Sequence, residues 1–217
     1  MRNCRASQPD IIAAMRAKIM GYFLLGLVRL LTGSQARWVG CPPKAEQRIY
    51  FANHQSHADL VMIWAALPQE LRNVTRAIAA RDYWTKTPLR QWLTTAVFNV
   101  IYVSRERNAD EDPLEPLVEA LTNGDSIILF PEGTRGYADD PQAFKAGLYN
   151  LALKFPAAVL VPAWINNVQH VLPKGEVVPV PVLCSVTFGA PVRIEPGEAC
   201  REFLARARSC VMALREI

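Results

Sequence analysis

The 217-residue chain has no low-complexity linker, so nothing in its composition forces a division into separate units, and at 51% hydrophobic content it can bury one substantial core. It has no Gly-x-Gly-x-x-Gly fingerprint, which argues against a dinucleotide-binding Rossmann fold. His-Glu-x-x-His and Cys-x-x-Cys are also missing; with no spacing that closes a ligand set, no metal is expected. Basic stripes interleaved with aromatics are absent, so the net charge of +4 points away from nucleic acid. That charge suits an ordinary basic surface, an anionic membrane surface or an acidic carrier protein. Cys4, Cys41, Cys184, Cys200 and Cys210 are scattered and odd in number. They cannot all pair within the chain, which favours a reducing compartment and a working face toward the cytosol.

Uninterrupted hydrophobic runs are short. In the apolar stretch 11–31, Arg16, Lys18 and Arg29 intervene, and the uncharged run from Ile19 to Val28 is too short for the roughly 30 Å hydrocarbon layer. No small-residue cleavage pattern follows. On a helical wheel Ile12, Ile19, Phe23, Leu27 and Leu30 gather on one side while Lys18 and Arg29 lie roughly opposite, the pattern of an interfacial helix. Segment 1–39 is therefore expected to associate with a membrane, and 40–217 to form the domain that carries the chemistry. A core-packed helix is the alternative.

Downstream, short apolar runs alternate with longer periodic ones. Arg48 to Ala52, Thr75 to Ala79, Asn99 to Ser104, Ser126 to Phe130, Ala157 to Ile165 and Leu183 to Phe188 read as strands. Leu60 to Leu67, Leu114 to Leu121, Phe144 to Phe155 and Ala199 to Leu214 read as helices, with Pro68 ending the first and Gly147 weakening the third. Pro162, Pro179 and Pro181 restrict where strands can continue. The expected fold is α/β, a mixed sheet flanked by helices.

Two clusters carry chemistry. In Asn53-His54-Gln55-Ser56-His57-Ala58-Asp59, the histidine and aspartate are five apart and would point roughly 140° apart on one ideal helix. If His54 instead ends the loop after a strand and Asp59 lies in the first turn of a helix capped by Ser56, the two side chains meet. Asp59 then holds one imidazole nitrogen and leaves the other to take a proton from an alcohol. His57 shapes the helix entrance or faces solvent, and Asn53 and Ser56 stabilise the turn. In Phe130-Pro131-Glu132-Gly133-Thr134-Arg135-Gly136, proline ends a strand and two glycines permit a close turn whose donors, Thr134 and Arg135, can face an anion. Glu132 repels a phosphate and is better suited to organise Arg135 or substrate hydroxyls. Arg105 follows a strand, where it can grip a phosphate or form a solvated salt bridge; Lys145 adds positive potential nearby or is an exposed helix lysine.

Together, Asn-His-x4-Asp and the distant Phe-Pro-Glu-Gly-Thr-Arg resemble the signature of the glycerolipid acyltransferase family, in its 1-acyl-sn-glycerol-3-phosphate acyltransferase branch. The likeness runs from about Ile49 through Ala163, with Val161-Pro162-Ala163 a weaker third match. It implies a compact α/β acyltransferase domain with His54 as catalytic base and Asp59 as its orienting partner. It likewise implies that Arg105, Glu132, Gly133, Thr134 and Arg135 bind the acceptor. The implied reaction moves a fatty acyl group from acyl-coenzyme A or acyl-carrier protein to the sn-2 hydroxyl of 1-acyl-sn-glycerol 3-phosphate, giving phosphatidic acid. No cofactor is implied besides that donor. The implied location is peripheral or monotopic, at the cytoplasmic face of the inner membrane. Ser104-Arg105 stands where the family commonly has Asp-Arg, and Trp92 to Ala96 lacks its glycine-rich character. Another lysophospholipid or lyso-aminolipid acceptor therefore stays open, as does a lipid-binding protein without turnover.

Overall fold

The computed structural model describes residues 8–33, 35–56, 58–103, 112–136, 140–166 and 183–217. Within them, strands β1 (Gln35–Trp38), β2 (Arg48–Ala52), β3 (Thr75–Ala80), β4 (Ile101–Val103), β5 (Ser126–Leu129), β6 (Val159–Asn166) and β7 (Ser185–Phe188) form one sheet in the order β1-β7-β6-β2-β5-β3-β4. Strands β2 to β6 are mutually parallel, β7 is antiparallel to β6, and β1 is parallel to β7. The mixed sheet expected from the sequence is thus present. Its helices are α1 (Gln8–Thr32), α2 (Asp59–Ala66), α3 (Gln69–Asn73), α4 (Arg81–Trp84), α5 (Pro88–Trp92), α6 (Glu115–Thr122), α7 (Gly147–Lys154) and α8 (Cys200–Ala213), with a π-helical turn at Leu93–Val97.

The period of two along β2 divides the protein into layers. Tyr50 and Ala52 enter the core shared with α1 and α2, while Ile49 and Phe51 enter the core shared with α6, α7 and α8. All four are fully buried, as a central parallel strand requires. The chain leaves β2 toward α2 on one face and leaves β5, its neighbour, toward α7 on the other. Diverging connections make a topological switch point at the carboxyl ends of these two strands, the usual ligand position in such sheets. His54 and Glu132 both emerge there.

Several sequence expectations are revised in detail. Pro162 lies inside β6 because the β7 ladder begins only at Ala163; at Pro162 the carbonyl alone is used, accepting from the N–H of Gly189 at 2.8 Å. Gly147 begins α7 rather than interrupting it, and a Cβ there would stand 3.2 Å from Leu114. Strand β1, too short and exposed to show a pattern in sequence, ties the end of segment 1–39 into the sheet, where Trp38 stacks on Phe188 at 4.1 Å.

Helix α1 has two apolar faces. Leu25 and Thr32 are buried and Leu24 and Val28 pack against the core, while Gly21 lets the helix approach Val97 and Trp64 closely. Ile12, Ile19, Phe23, Leu27 and Leu30 point away from the protein, Leu30 being 81% exposed. Among the described residues, no helix is long and apolar enough to cross a membrane.

Candidate active site

Leaving β2, the chain is first pinned by Asn53. Its buried amide donates to the carbonyl of Ile165 at 3.1 Å and accepts from the same residue's N–H at 2.8 Å, fastening the end of β2 to β6. The imidazole of His54 follows, stacked on Phe130 with ring centroids 4.3 Å apart. Its Nδ1 lies 2.9 Å from Oδ2 of Asp59, so the chain reversal between strand and helix brings the two residues together. Asp59 is 1% exposed, and the same oxygen accepts the N–H groups of Gln55 and Ser56 at 2.6 and 2.8 Å. These donors offset the burial of a full charge. Because the carboxylate only accepts, Nδ1 carries the hydrogen, which in the neutral imidazole leaves the lone pair on Nε2, and Nε2 has no hydrogen-bond partner among the described residues. The ring is 21% exposed, open enough to meet a substrate.

The helix cap differs from expectation. Helix α2 starts at Asp59 with Ala58 as its N-cap, and no side chain caps it. Ser56 instead uses its hydroxyl to accept from the N–H of Ala58 at 3.2 Å. Only the reverse half of the expected capping box forms, Asp59 to the N–H of Ser56, and that half turns the carboxylate toward His54. His57 lies outside the described residues, as does Arg105.

The loop after β5 locks onto this turn. Glu132 is 2% exposed, with Oε1 accepting the N–H of His54 and Oε2 the N–H of Gln142, each at 2.7 Å. A third bond, from the N–H of Gly136 to the carbonyl of His54 at 2.8 Å, completes the frame. Both oxygens of Glu132 are therefore taken by main-chain amides, and the group it organises is the His54 loop rather than Arg135. Burial pushes its carboxyl above the ordinary 4.5, with Asp59 adding to the rise, while the two amides and His54 oppose it.

Around this frame the loop is polar and open. Gly133 has φ +71°, and the Lys145 side chain crosses it so closely that Nζ stands 2.5 Å from the place of a Cβ. Thr134 is exposed and Arg135 half-buried, and Arg135 makes no ion pair with a described residue. Arg81 begins α4 directly after β3, at the same pole of the sheet. Sequence reasoning had not singled out Arg81, Phe130 as a floor for the imidazole, or Gln142 as a clamp. A basic residue closing a strand was the available signal for Arg81; Gln142 acts through its main chain and left none.

A buried carboxylate holding an imidazole at the carboxyl edge of a parallel sheet, beside a cationic loop, defines an α/β protein equipped to deprotonate a hydroxyl near an anion. Comparison with known proteins gives that class a family. The family model described as Acyltransferase matches residues 41–166, and the chain belongs to the acyltransferase family. It is 29% identical over 160 residues to a 1-acyl-sn-glycerol-3-phosphate acyltransferase of Borreliella burgdorferi, covering 72% of this chain and 58% of that protein. It is 29% identical over 138 residues to the human 1-acyl-sn-glycerol-3-phosphate acyltransferase alpha, covering 62% and 46%. The chain spans about half the length of these two relatives. In fold it is similar to the crystal structure of the 1-acyl-sn-glycerophosphate (LPA) acyltransferase PlsC from Thermotoga maritima. The TM-score is 0.70 at 23% identity, over 97% of this chain and 83% of that one.

Proposed function

We propose that the protein transfers a fatty acyl group from acyl-coenzyme A or acyl-carrier protein to the sn-2 hydroxyl of 1-acyl-sn-glycerol 3-phosphate, forming phosphatidic acid. The observation that carries this reading is the oriented imidazole, its Nδ1 2.9 Å from Asp59, in one frame with the Glu-Gly-Thr-Arg loop. In this mechanism Nε2 of His54 takes the hydroxyl proton as the oxygen attacks the thioester carbonyl. Asp59 stabilises the imidazolium so formed. Collapse of the tetrahedral intermediate breaks the carbon–sulfur bond, and the leaving thiolate takes the proton back from His54. No serine or cysteine need carry the acyl group.

Arg135 and the exposed Thr134 face the acceptor phosphate, with Arg81 and Lys145 adding positive charge at that pole, and Arg105 is assigned to the acceptor on the family resemblance alone. Gly133 serves through its absent side chain. Glu132 holds the loop that presents His54. The outward apolar face of α1 rests at the membrane surface, a peripheral or monotopic placement on the cytoplasmic side that keeps the site beside its lipid substrate.

Purified protein in mixed micelles is expected to consume one of the two donors and to acylate lysophosphatidic acid, with mass spectrometry locating the new chain at sn-2. Folded protein inert toward both donors would sink the reading. A second acceptor is favoured by one observation, the Ser104-Arg105 sequence that stands in place of the family's common Asp-Arg. Faster turnover of lysophosphatidylethanolamine, lysophosphatidylglycerol or a lyso-aminolipid than of lysophosphatidic acid would transfer the assignment to remodelling.

A further inference from the structure

At the opposite pole of the sheet from His54, α1, α2, α3 and the π-helical turn enclose a cleft of about 420 Å³. Its polar rim includes Lys18, Gln69, Arg72, Asn73 and Asn99, and Trp64 forms part of its apolar floor. The placement follows from topology: α3 immediately precedes β3 and Asn99 precedes β4, so both lie at the amino ends of the parallel strands.

We propose that this cleft is a second lipid site, which takes the phosphate headgroup of an anionic membrane lipid and prefers a phosphomonoester to a phosphodiester.

Three observations converge on an anion. First, Lys18, Tyr22, Leu25 and Arg29 form one stripe of α1 at helical spacing; Leu25 anchors it in the core, and Tyr22 accepts a 3.1 Å hydrogen bond from Gln69 of α3. Lys18 lines the cleft together with Arg72, and Arg29, further along the stripe, is the cation that acts on Arg72 from beyond the lining. Second, Arg72 lies over the Trp64 ring at 4.9 Å and makes no ion pair with a described residue. Burial and the neighbouring Arg29 push its guanidinium downward, with only Glu70 and Tyr22 acting the other way, so the cluster is short of negative charge. Third, the rim pairs Lys18 and Arg72 with amide donors from Gln69, Asn73 and Asn99, while Trp64 and Val97 supply apolar wall. A phosphate on a glycerol fits that division, and a dianion answers Lys18 and Arg72 in the lining, with Arg29 beside Arg72, better than a monoanion does.

The source of the phosphate follows from the neighbouring face. The exposed side chains of Ile19, Phe23 and Leu30 lie on the same helix, about 80° to 140° around from Lys18 and Arg29, so the basic stripe borders the far side of the apolar face. When that face enters the interfacial layer, the cleft comes to headgroup depth. The inference rests on the membrane placement of α1 but not on the acyl-transfer chemistry. The site would hold the protein on membranes that carry phosphomonoester lipid, which is also the chemical class of the proposed product.

The test uses the full chain without acyl donor and measures co-sedimentation with phosphatidylcholine vesicles containing phosphatidic acid or phosphatidylglycerol at matched surface charge. Wild type is expected to bind the phosphatidic acid vesicles several-fold more tightly. Arg72→Gln and Lys18→Gln should each weaken that binding by about fivefold, the effect of one basic residue near an anionic surface. Arg72→Lys should retain most of it. Arg201→Gln, an equal loss of charge on the exposed side of α8, should leave it unchanged. Equal affinity for the two lipids, or the same loss from Arg201→Gln, would overturn the site. So would displacement by millimolar glycerol 3-phosphate, which would make the ligand a soluble phosphate. Should Arg72→Gln fail to fold, the emission difference between wild type and Trp64→Phe must respond to phosphatidic acid and not to phosphatidylglycerol; no response counts against the proposal. Vesicle binding that ignores Phe23→Ser with Leu30→Ser would instead reject the membrane placement of α1.

Discussion

The loops after β2 and β5 sit side by side at one pole of the sheet, yet they use their polar groups in opposite ways. In the first, nearly everything is turned inward: Asn53 is spent on Ile165, Asp59 gathers His54 and two amides, and only the Nε2 side of the imidazole is left over. In the second, the inward work falls to Glu132 and the main chain of Gly136, while Thr134 and Arg135 and the crossing Lys145 remain outside. A loop that must hold one nitrogen in one orientation is built from satisfied bonds. A loop that must meet a charged, mobile headgroup leaves its Arg135 guanidinium without an ion pair among the described residues and its Thr134 exposed. The division predicts that damage to the first loop shows in turnover and damage to the second in acceptor affinity.

The largest effect is expected from His54→Ala. With the base removed, kcat should fall by about 10² to 10⁴ with circular dichroism unchanged, measured as acyl transfer at saturating donor and acceptor. Near-normal turnover in the folded variant would erase the contrast between the loops. Asp59→Asn comes next. It keeps the side-chain shape but loses the carboxylate that fixes the imidazole hydrogen on Nδ1, and kcat should drop on the order of 10²-fold with acceptor KM little changed.

Arg135→Gln should invert that pattern, raising KM for a phosphate-bearing acceptor by about tenfold, consistent with loss of a charge-assisted bond, while kcat stays close to wild type. A kcat defect without a KM defect would place Arg135 with the first loop. Smaller still, Phe23→Ser with Leu30→Ser should lower vesicle binding several-fold and leave the melting temperature nearly unaltered, because both side chains point away from the core. Deleting the whole helix would be a poorer experiment, since it also removes buried Leu25 and Thr32.

The smallest effect concerns pH and Glu132. Its folded value is raised above the ordinary 4.5, so the folded protein binds this proton more readily than the unfolded chain does. The proton-linked contribution to stability is then fully present below the ordinary carboxyl range and is lost as pH rises through the raised value. Glu132→Gln lacks this dependence. The stability of wild type relative to the variant should therefore decline with rising pH across that window, as read from urea denaturation at a series of pH values. A difference that rose with pH would mean the two amide bonds outweigh burial.

Much of this arrangement was legible in the residues because it depends on local pattern. Arg48–Ala52 is apolar from Ile49 to Ala52 and is bounded by a charged segment and by Asn53, and it forms β2 at those limits. The pairing of His54 with Asp59 needed only a strand, a turn and a helix start. The outward stripe of α1 was also visible, although its inward stripe was hidden because Leu24, Leu25 and Val28 spread apolar character around the wheel. Elements that depend on distant partners were not legible. β1 is defined by β7, nearly 150 positions downstream, and Pro162 is tolerated only because the β7 ladder stops beside it. The Ser56 cap failed for a related reason, since the choice between capping α2 and holding Ala58 is made by the geometry that Asp59 adopts toward His54.

The bonds joining His54 to Glu132 and Gly136 link segments about eighty positions apart, and this has a kinetic consequence. The two loops cannot be fastened to each other until β5 has docked beside β2, so the joined frame is absent from any chain in which these strands are apart. Closing that long contour is entropically costly once, during folding, and is not repeated at each turnover. Hydrogen exchange should show the result as synchrony: the amides of His54, Gly136 and Gln142 are expected to open as one cooperative unit with the central strands, whereas the neighbouring amide of Thr134 exchanges at the rate of an ordinary surface loop.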